Sequence, residues 1–202
     1  GATANQTMAL TQVQNATTSC VTPLTATSTV TVNPLPTAAT VTNGGTICSG
    51  GNAVFTIAGT PTNVVTYTIN AGAPTTATIG GGGTVVITVT GATANQTMTL
   101  SQVQNATTSC VTPLTATSTV TVNPLPAVAT VAGNGPLCAG QNAVFTISGT
   151  AGNVVTYSIN AGPAATATIG AGGTVTVTVT AASANQTMTL SQVQNPTTTC
   201  VR

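Results

Sequence analysis

The chain has 202 residues and a net charge of +1, with Arg202 as its only charged side chain and no His. Because acid–base catalysis and most metal binding use His, Asp, Glu or Lys, this composition argues against an enzyme, a metal site and any other cofactor. One cation forms no basic patch for nucleic acid and no charged belt for lipid headgroups, and no apolar stretch reaches membrane-spanning length.

The uncharged remainder of the composition favours β-strands. Thr occurs 50 times, mostly alternating with Val, Ile or Ala, and β-branched side chains pack well on a pleated surface. Leu, Ile, Val and Phe number 43 of 202 residues, near the compositional border for disorder, but disorder normally also requires high net charge. The sequence therefore predicts a folded, β-rich chain.

The chain repeats itself with a period of 90 residues. Residues 1–90 and 91–180 are identical at 69 of 90 positions, and residue 181 starts a third copy. Each Asn-Pro-Leu-Pro segment has two prolines that end a strand and stiffen a joint, which predicts linkers there. We therefore expect a leading repeat (1–34, the C-terminal part of a module), a complete central repeat (37–124) and a trailing repeat (127–202) that lacks its last strand.

Alternation with a period of two residues predicts the strands of the central repeat. They are a short edge strand at 39–42, followed by 52–57, 64–69, 76–79, 84–90, 96–104 and 115–122. Turn signals separate them at 59–63, 70–74 and 80–83, and nothing in the sequence predicts a helix.

Strand parity also predicts the core of the central repeat. Six side chains share the inward parity: Phe55, Tyr67, Ile87, Met98, Leu100 and Val120. Six or seven short strands at regular spacing with this pattern are typical of an immunoglobulin-like β-sandwich. We therefore expect tandem all-β sandwich modules, whose single Phe and Tyr anchor the core. The partial repeats should pair with copies of the missing strands, supplied by chain continuation or by a neighbouring subunit.

Five cysteines follow the repeat: Cys20, Cys48, Cys110, Cys138 and Cys200. No Cys-x-x-Cys pair and no His accompanies them, so one disulfide per repeat in an oxidising, extracellular setting is the favoured interpretation over zinc. The partner of Cys20 would lie outside this sequence.

The pairing of these cysteines has two alternatives. A portable repeat should close itself, which favours Cys48–Cys110 and Cys138–Cys200. However, the second and sixth strands of an immunoglobulin-like sandwich run parallel, which places those cysteines roughly 20 Å apart at the strand rise. A disulfide tolerates about 7 Å between Cα atoms, so the alternative is a bond between modules, Cys48–Cys200.

Five Asn-x-Thr tripeptides fit the N-glycosylation pattern, with Asn at 5, 15, 95, 105 and 185. In a chain so rich in Thr and Asn, such matches arise often by chance. We therefore assign no glycan to them.

Several motifs together resemble a known family. They are the Cys-Gly run at 46–57, its copy at 136–147, the Tyr strand at 64–70, the segment 94–100 and the closing Thr-Val-Thr-Val-Asn-Pro-Leu-Pro. The chain resembles the tandem immunoglobulin-like (PKD-like) repeats of giant surface proteins of Bacteroidota, including gliding-type adhesins. The resemblance implies export to the cell surface by the type IX route and a role as stalk, adhesin or filament. It brings no catalytic residues, and the missing acids argue against calcium-stiffened linkers.

These observations favour a structural or adhesive extracellular fibre. Outward strand positions are mostly Thr, Ser, Gln and Asn. Examples are Thr84, Val86, Thr88 and Thr90 in one strand and the Thr residues at 115, 117, 119 and 121 in another. No charge protects the edge segments 39–42 and 115–122 from lateral pairing. The expected partner is therefore another copy of the chain. Two alternatives stay open: a passive spacer that projects a distal binding domain, and a flat Thr array that binds polysaccharide or ice.

Overall fold

The structure of the chain, a computed structural model, describes all 202 residues, Gly1–Arg202. All of its regular elements are β-strands, so the all-β prediction is confirmed. No helix in it could carry the chain across a membrane.

The strands are numbered in chain order. Residues 1–34 contain β1 (Gln6–Ala9), β2 (Gln12–Gln14), β3 (Val21–Pro23) and β4 (Thr27–Val30). The central repeat contains β5 (Thr40–Asn43), β6 (Ile47–Cys48), β7 (Gly51–Ala58), β8 (Val64–Ile69), β9 (Thr75–Thr78), β10 (Thr84–Ala92), β11 (Gln96–Gln104), β12 (Val111–Pro113), β13 (Thr117–Val120) and β14 (Val122–Asn123). The remaining strands are β15 (Thr130–Gly133), β16 (Gln141–Ser148), β17 (Val154–Ile159), β18 (Ala165–Thr168), β19 (Thr174–Ala182) and β20 (Met188–Gln194).

The strand order of the central repeat is that of an immunoglobulin-like sandwich. One sheet has the order β10-β7-β5, and the other has the order β12-β11-β8-β9, with β13 also beside β11. The trailing repeat has the same order in β15-β16-β19 and β18-β17-β20. In each repeat the chain thus passes back and forth between two antiparallel sheets, as in this fold class, and the predicted fold class is confirmed.

The turns fall where the sequence predicts them. The β8–β9 connection uses Asn70 and Ala71 with φ of 51° and 56°, a left-handed conformation that Asn tolerates better than most residues. The β9–β10 connection ends at Gly83, whose φ of 80° suits a residue without Cβ. These tight turns leave little chain between the strands.

The contacts divide the chain into two compact units. The first comprises Gly1–Asn43, Phe55–Ile87 and Thr97–Ser118, and the second comprises Gly44–Val54, Thr88–Gln96 and Thr119–Arg202. The first unit buries Ala39, Phe55, Ile57, Val65, Tyr67, Ile79, Met98, Leu100 and Val103. The second buries a cluster that includes Ala129, Phe145, Ile147, Val155, Ile169, Met188 and Val193.

The predicted core of the central repeat is confirmed. Five of its six predicted side chains are buried, and the sixth, Ile87, is half-buried on β10. One core residue, Val103, was not predicted, because strict alternation from Met98 and Leu100 would turn Val103 outward. A β-bulge between Leu100 and Gln102 in the pairing with β8 reverses the parity and turns Val103 inward.

Two strands of the central repeat differ from the prediction. The segment 115–122 forms two short strands, β13 beside β11 and β14 in parallel with β6, because it changes partner along its length. The hairpin strand β12 was also missed, since Pro113 argues against a strand. Pro113 is tolerated there because β12 is an edge strand, where one backbone donor is dispensable.

Residues 1–34 form strands without a core. They pair β1 with β4 and β2 with β3 in two separate two-stranded sheets. Every residue of these four strands is exposed. Isolated strand pairs of this kind are marginally stable in water.

Candidate functional site

The outward faces of several edge strands carry rows of Thr. The row on β19, the outer strand of its sheet, consists of Thr174, Thr176, Thr178 and Thr180, all exposed. On β10 the alternate positions 84, 86, 88 and 90 are exposed, and all but Val86 are Thr. On one face of a strand these side chains repeat at roughly 7 Å, twice the strand rise.

The two predicted edge segments also lie at sheet edges. β5 is the outer strand of its sheet, and β13 pairs with β11 alone. The outward residues of the second segment, at 115, 117, 119 and 121, are all exposed Thr. Hydroxyl and methyl groups without charge can hydrogen-bond and pack against an identical edge without electrostatic repulsion.

A groove runs beside β20 in the trailing repeat. It has a volume of about 180 Å³ and is lined by Val128, Ala129, residues 190–193 of β20 and Arg202. Leu190 is half-buried at this groove, and β20 lies at the edge of its sheet. We call this feature the β20 groove.

The central repeat shows what fills the equivalent position. The backbone N–H of Leu100 donates to the carbonyl oxygen of Ala116 at 2.8 Å, and that of Leu114 donates to Ser101 at 2.8 Å. The segment that begins at Leu114 therefore runs beside β11, and Leu100 is completely buried. β11 and β20 are equivalent because residues 96–104 and 186–194 have the same sequence.

The structure corrects the preferred cysteine pairing. Cys48 is bonded to Cys200, with their Cα atoms 5.5 Å apart, whereas Cys20, Cys110 and Cys138 are free thiols. Pairing within a repeat is therefore wrong in this structure, and the bond between modules is the one formed. The predicted strand polarity explains the outcome, because Cys48 precedes the second strand and Cys110 follows the sixth.

The three free cysteines lie in different surroundings. Cys110 is partly buried, and its Sγ lies 3.9 Å from the carbonyl oxygen of Asn33. Cys138 is exposed and lines a cavity of about 360 Å³ that also contains Phe145 and Asn185. Cys20 is exposed. These positions place no second sulfur beside any of the three.

The Asn residues of the Asn-x-Thr tripeptides have structural roles that were not predicted from the sequence. Asn105 Oδ1 accepts hydrogen bonds from the backbone of Thr107 and Thr108 at 2.9 and 3.0 Å, which closes the turn after β11. Asn95 Oδ1 accepts from the N–H of Val122 at 2.8 Å. The recurrence of both Asn residues at the same offset in every copy was the signal for these roles.

No known protein family matches the sequence, and no characterised protein matches it. The chain is similar to the human OSCAR ligand-binding domain, with 11% identity and a TM-score of 0.33 over 81% of this chain and 92% of that one. It is similar to a marsupial T cell receptor, with 14% identity and a TM-score of 0.36 over 90% of this chain and 64% of that one. It is also similar to a tetra-tandem repeat from the extending region of a large adhesion protein, with 17% identity and a TM-score of 0.32 over 95% and 53%. The fold assignment rests on the strand order, because superpositions this loose carry no argument.

Proposed function

We propose that this chain is a structural and adhesive segment of an extracellular fibre or stalk, and that copies associate through uncharged, Thr-rich strands. The observation that carries the proposal is the exposed Thr row on the edge strand β19. Most proteins protect such edges with Lys, Glu or Pro, and β19 has none of them. The proposal further assigns the chain to a bacterial surface protein of the PKD-like kind, on the motifs described above.

The distribution of Thr supports a fibre over a binder of a regular surface. A binder of polysaccharide or ice needs one flat face of Thr, whereas exposed Thr occurs on β9, β10, β13 and β19. The natural twist of sandwich sheets also works against a flat array.

The cysteines support an extracellular location. A disulfide that joins residues 152 positions apart forms and persists in an oxidising compartment.

A salt series with one pair of variants tests the association. Light scattering of the wild-type chain should show association that is nearly independent of ionic strength, since there is almost no charge to screen. Thr178→Lys adds a charge to the β19 row and should weaken association at low salt, with partial recovery at high salt. Thr60→Lys, in the exposed β7–β8 turn, is the matched control and should behave as wild type.

Two results would contradict the proposal. One is a wild-type chain that remains monomeric at high concentration. The other is association that disappears when salt is added, because charge attraction and not contact between Thr-rich edges would then hold the copies together.

A further inference from the structure

We propose that the Cys48–Cys200 disulfide is a permanent load path, which carries tension directly from residue 48 to residue 200 and keeps it out of residues 49–199. The proposal deepens the proposed function and rests on it for one statement, namely that the chain belongs to a fibre or stalk and is pulled along its length. It gives the bond a mechanical role in addition to its effect on stability.

The first argument is the covalent connection that the bond creates. The bond joins cysteines 152 positions apart, and their Cα atoms lie 5.5 Å from each other. It therefore closes residues 48–200 into a covalent loop. A segment is stretched only when its two ends are drawn apart, and the bond holds the ends of this loop together. Tension thus crosses the two sulfur atoms, and the shielding of the loop depends on the bond alone.

The second argument is what the loop contains. All strands from β7 to β20 lie between the two cysteines, whereas β5 lies before Cys48. Among the buried apolar side chains, Ala39 is the only one outside the loop apart from Cys200, which closes it. Tension can therefore detach β5 from β7, but it does not reach the other strands of either sandwich. The cores around Phe55 and Phe145 should stay folded while the chain is pulled.

The third argument concerns the permanence of the bond. Cys200 is completely buried and Cys48 is half-buried. Thiol–disulfide exchange requires a thiolate to reach one of the two sulfur atoms, and burial of Cys200 leaves only Cys48 open to attack. The backbone N–H groups of Ile47 and Ser49 donate to carbonyl oxygens of the segment 121–123 at 2.9 and 2.8 Å, which fixes the chain on both sides of Cys48. The bond is therefore a constant part of the fold and not a switch.

The position of the bond sets how far the chain extends under tension. Because an extended chain spans at most about 3.3–3.6 Å per residue, the residues outside the loop reach no more than about 180 Å. A loop of 152 positions would add about 500–550 Å once it opened. The intact bond thus limits the extension of the chain roughly fourfold.

Single-molecule force spectroscopy on the full chain, held by tags ligated to Gly1 and Arg202, tests the load path. The wild-type chain should extend to no more than about 180 Å and should show no unfolding of a sandwich. Cys200→Ser should extend about 500–550 Å further. Cys110→Ser removes a free thiol at the equivalent turn, and as the matched control it should extend as wild type does.

The same measurement in urea makes the test independent of folding. The oxidised wild-type chain should still stop at about 180 Å, because the bond and not the fold sets this limit. An added dithiol then breaks the S–S bond: two electrons and two protons pass to the cysteines, which become thiols, and the dithiol closes to a cyclic disulfide. The chain should lengthen by the same 500–550 Å, again at about 3.3–3.6 Å per residue. Without urea and without force, reduction should be at least roughly tenfold slower, because the fold covers Cys200.

The outcomes separate the load path from the proposed association. Wild-type extension well beyond about 180 Å before reduction would overturn the load path. A long extension of Cys110→Ser would overturn the assignment of the bond to Cys200. Equally fast reduction with and without urea would overturn its permanence. A wild-type chain that stays monomeric in light scattering would overturn the association of copies and leave the load path standing, since each of these pulling measurements uses one molecule.

Discussion

Residues 1–34 and 91–124 differ in sequence only at positions 9/99 and 11/101, yet their side chains have opposite environments. Met8 is 69% exposed whereas Met98 is completely buried, and Val30 and Val120 differ in the same way. Both segments form the same hydrogen bonds: Leu10 donates to Ala26 at 2.9 Å as Leu100 donates to Ala116 at 2.8 Å.

The difference shows that the sequence shared by the two segments is enough to determine their strand pairing but does not by itself bury their side chains. β11 pairs with β8, and that sheet brings Val65 and Tyr67 to the same core as Leu100. β1 and β2 have no such neighbour. Hydrogen bonding between two strands is thus independent of burial here, and burial supplies most of the stability.

The largest expected difference in unfolding free energy is between Cys110 and Cys200. Cys110 and Cys200 follow equivalent turns, but only Cys200 is bonded. Cys200→Ser should lower the free energy of unfolding by about 5 kcal/mol in the chain-entropy model for a separation of 152 residues. Cys110→Ser should change it by less than about 0.5 kcal/mol. Urea unfolding followed by circular dichroism measures both, and equal effects would contradict the assigned bond.

Equivalent leucines give the next largest contrast. Leu100→Ala removes a fully buried side chain and should cost about 2–5 kcal/mol of unfolding free energy, with a cavity left behind. Leu10→Ala, at a residue 48% exposed, should cost less than about 0.5 kcal/mol. The comparison fails if urea unfolding of a dilute sample gives similar losses for the two variants.

Val30 and Val120 occupy equivalent positions, and replacing each by Thr tests burial with almost no change in side-chain volume. Val120→Thr buries a hydroxyl group at a completely buried position and should destabilise by about 1–3 kcal/mol. Val30→Thr leaves that hydroxyl in water and should be neutral within about 0.5 kcal/mol. A neutral Val120→Thr in thermal unfolding would mean that β13 does not pack inward.

Equivalent asparagines give the smallest effect. Asn95→Ala removes the acceptor for Val122 N–H and should cost about 0.5–1.5 kcal/mol. Asn5→Ala removes the same acceptor for Val32 N–H in a segment without a core, so the unfolding free energy of the sandwich should not change. A measurable loss for Asn5→Ala would show that the leading repeat folds cooperatively with the rest.

Much of this fold is predictable from the sequence, and the exceptions have physical causes. The bounds of β8 and β11 match the predicted ones because alternation and turn residues agree there. Val103 escaped prediction because a bulge, which has no fixed sequence signal, shifts the parity after Leu100. Strand polarity already pointed to the Cys48–Cys200 bond as the alternative, and it was not preferred because a portable repeat was expected to close itself.

Some features of the candidate surfaces were also predictable from the sequence, and others were not. The outward Thr at 84–90 and at 115–121 follow from strand parity and were predicted, since every second residue faces out, whereas the row on β19 was not singled out. The β20 groove was expected only as a missing strand, and its lining by Val128 and Ala129 required the structure. The roles of Asn5 and Asn95 were missed because their tripeptides also match a glycosylation pattern.

Amide hydrogen exchange measured by mass spectrometry tests the central claim most directly, namely that a core and not pairing distinguishes the two segments. Peptides from 1–34 and 91–124 differ in mass through Ala9/Thr99 and Thr11/Ser101, so both can be followed in one dilute sample. We expect slow exchange at Met98, Leu100 and Val103 and fast exchange at their counterparts in 1–34. Equal protection of the two segments in the dilute chain would contradict that claim.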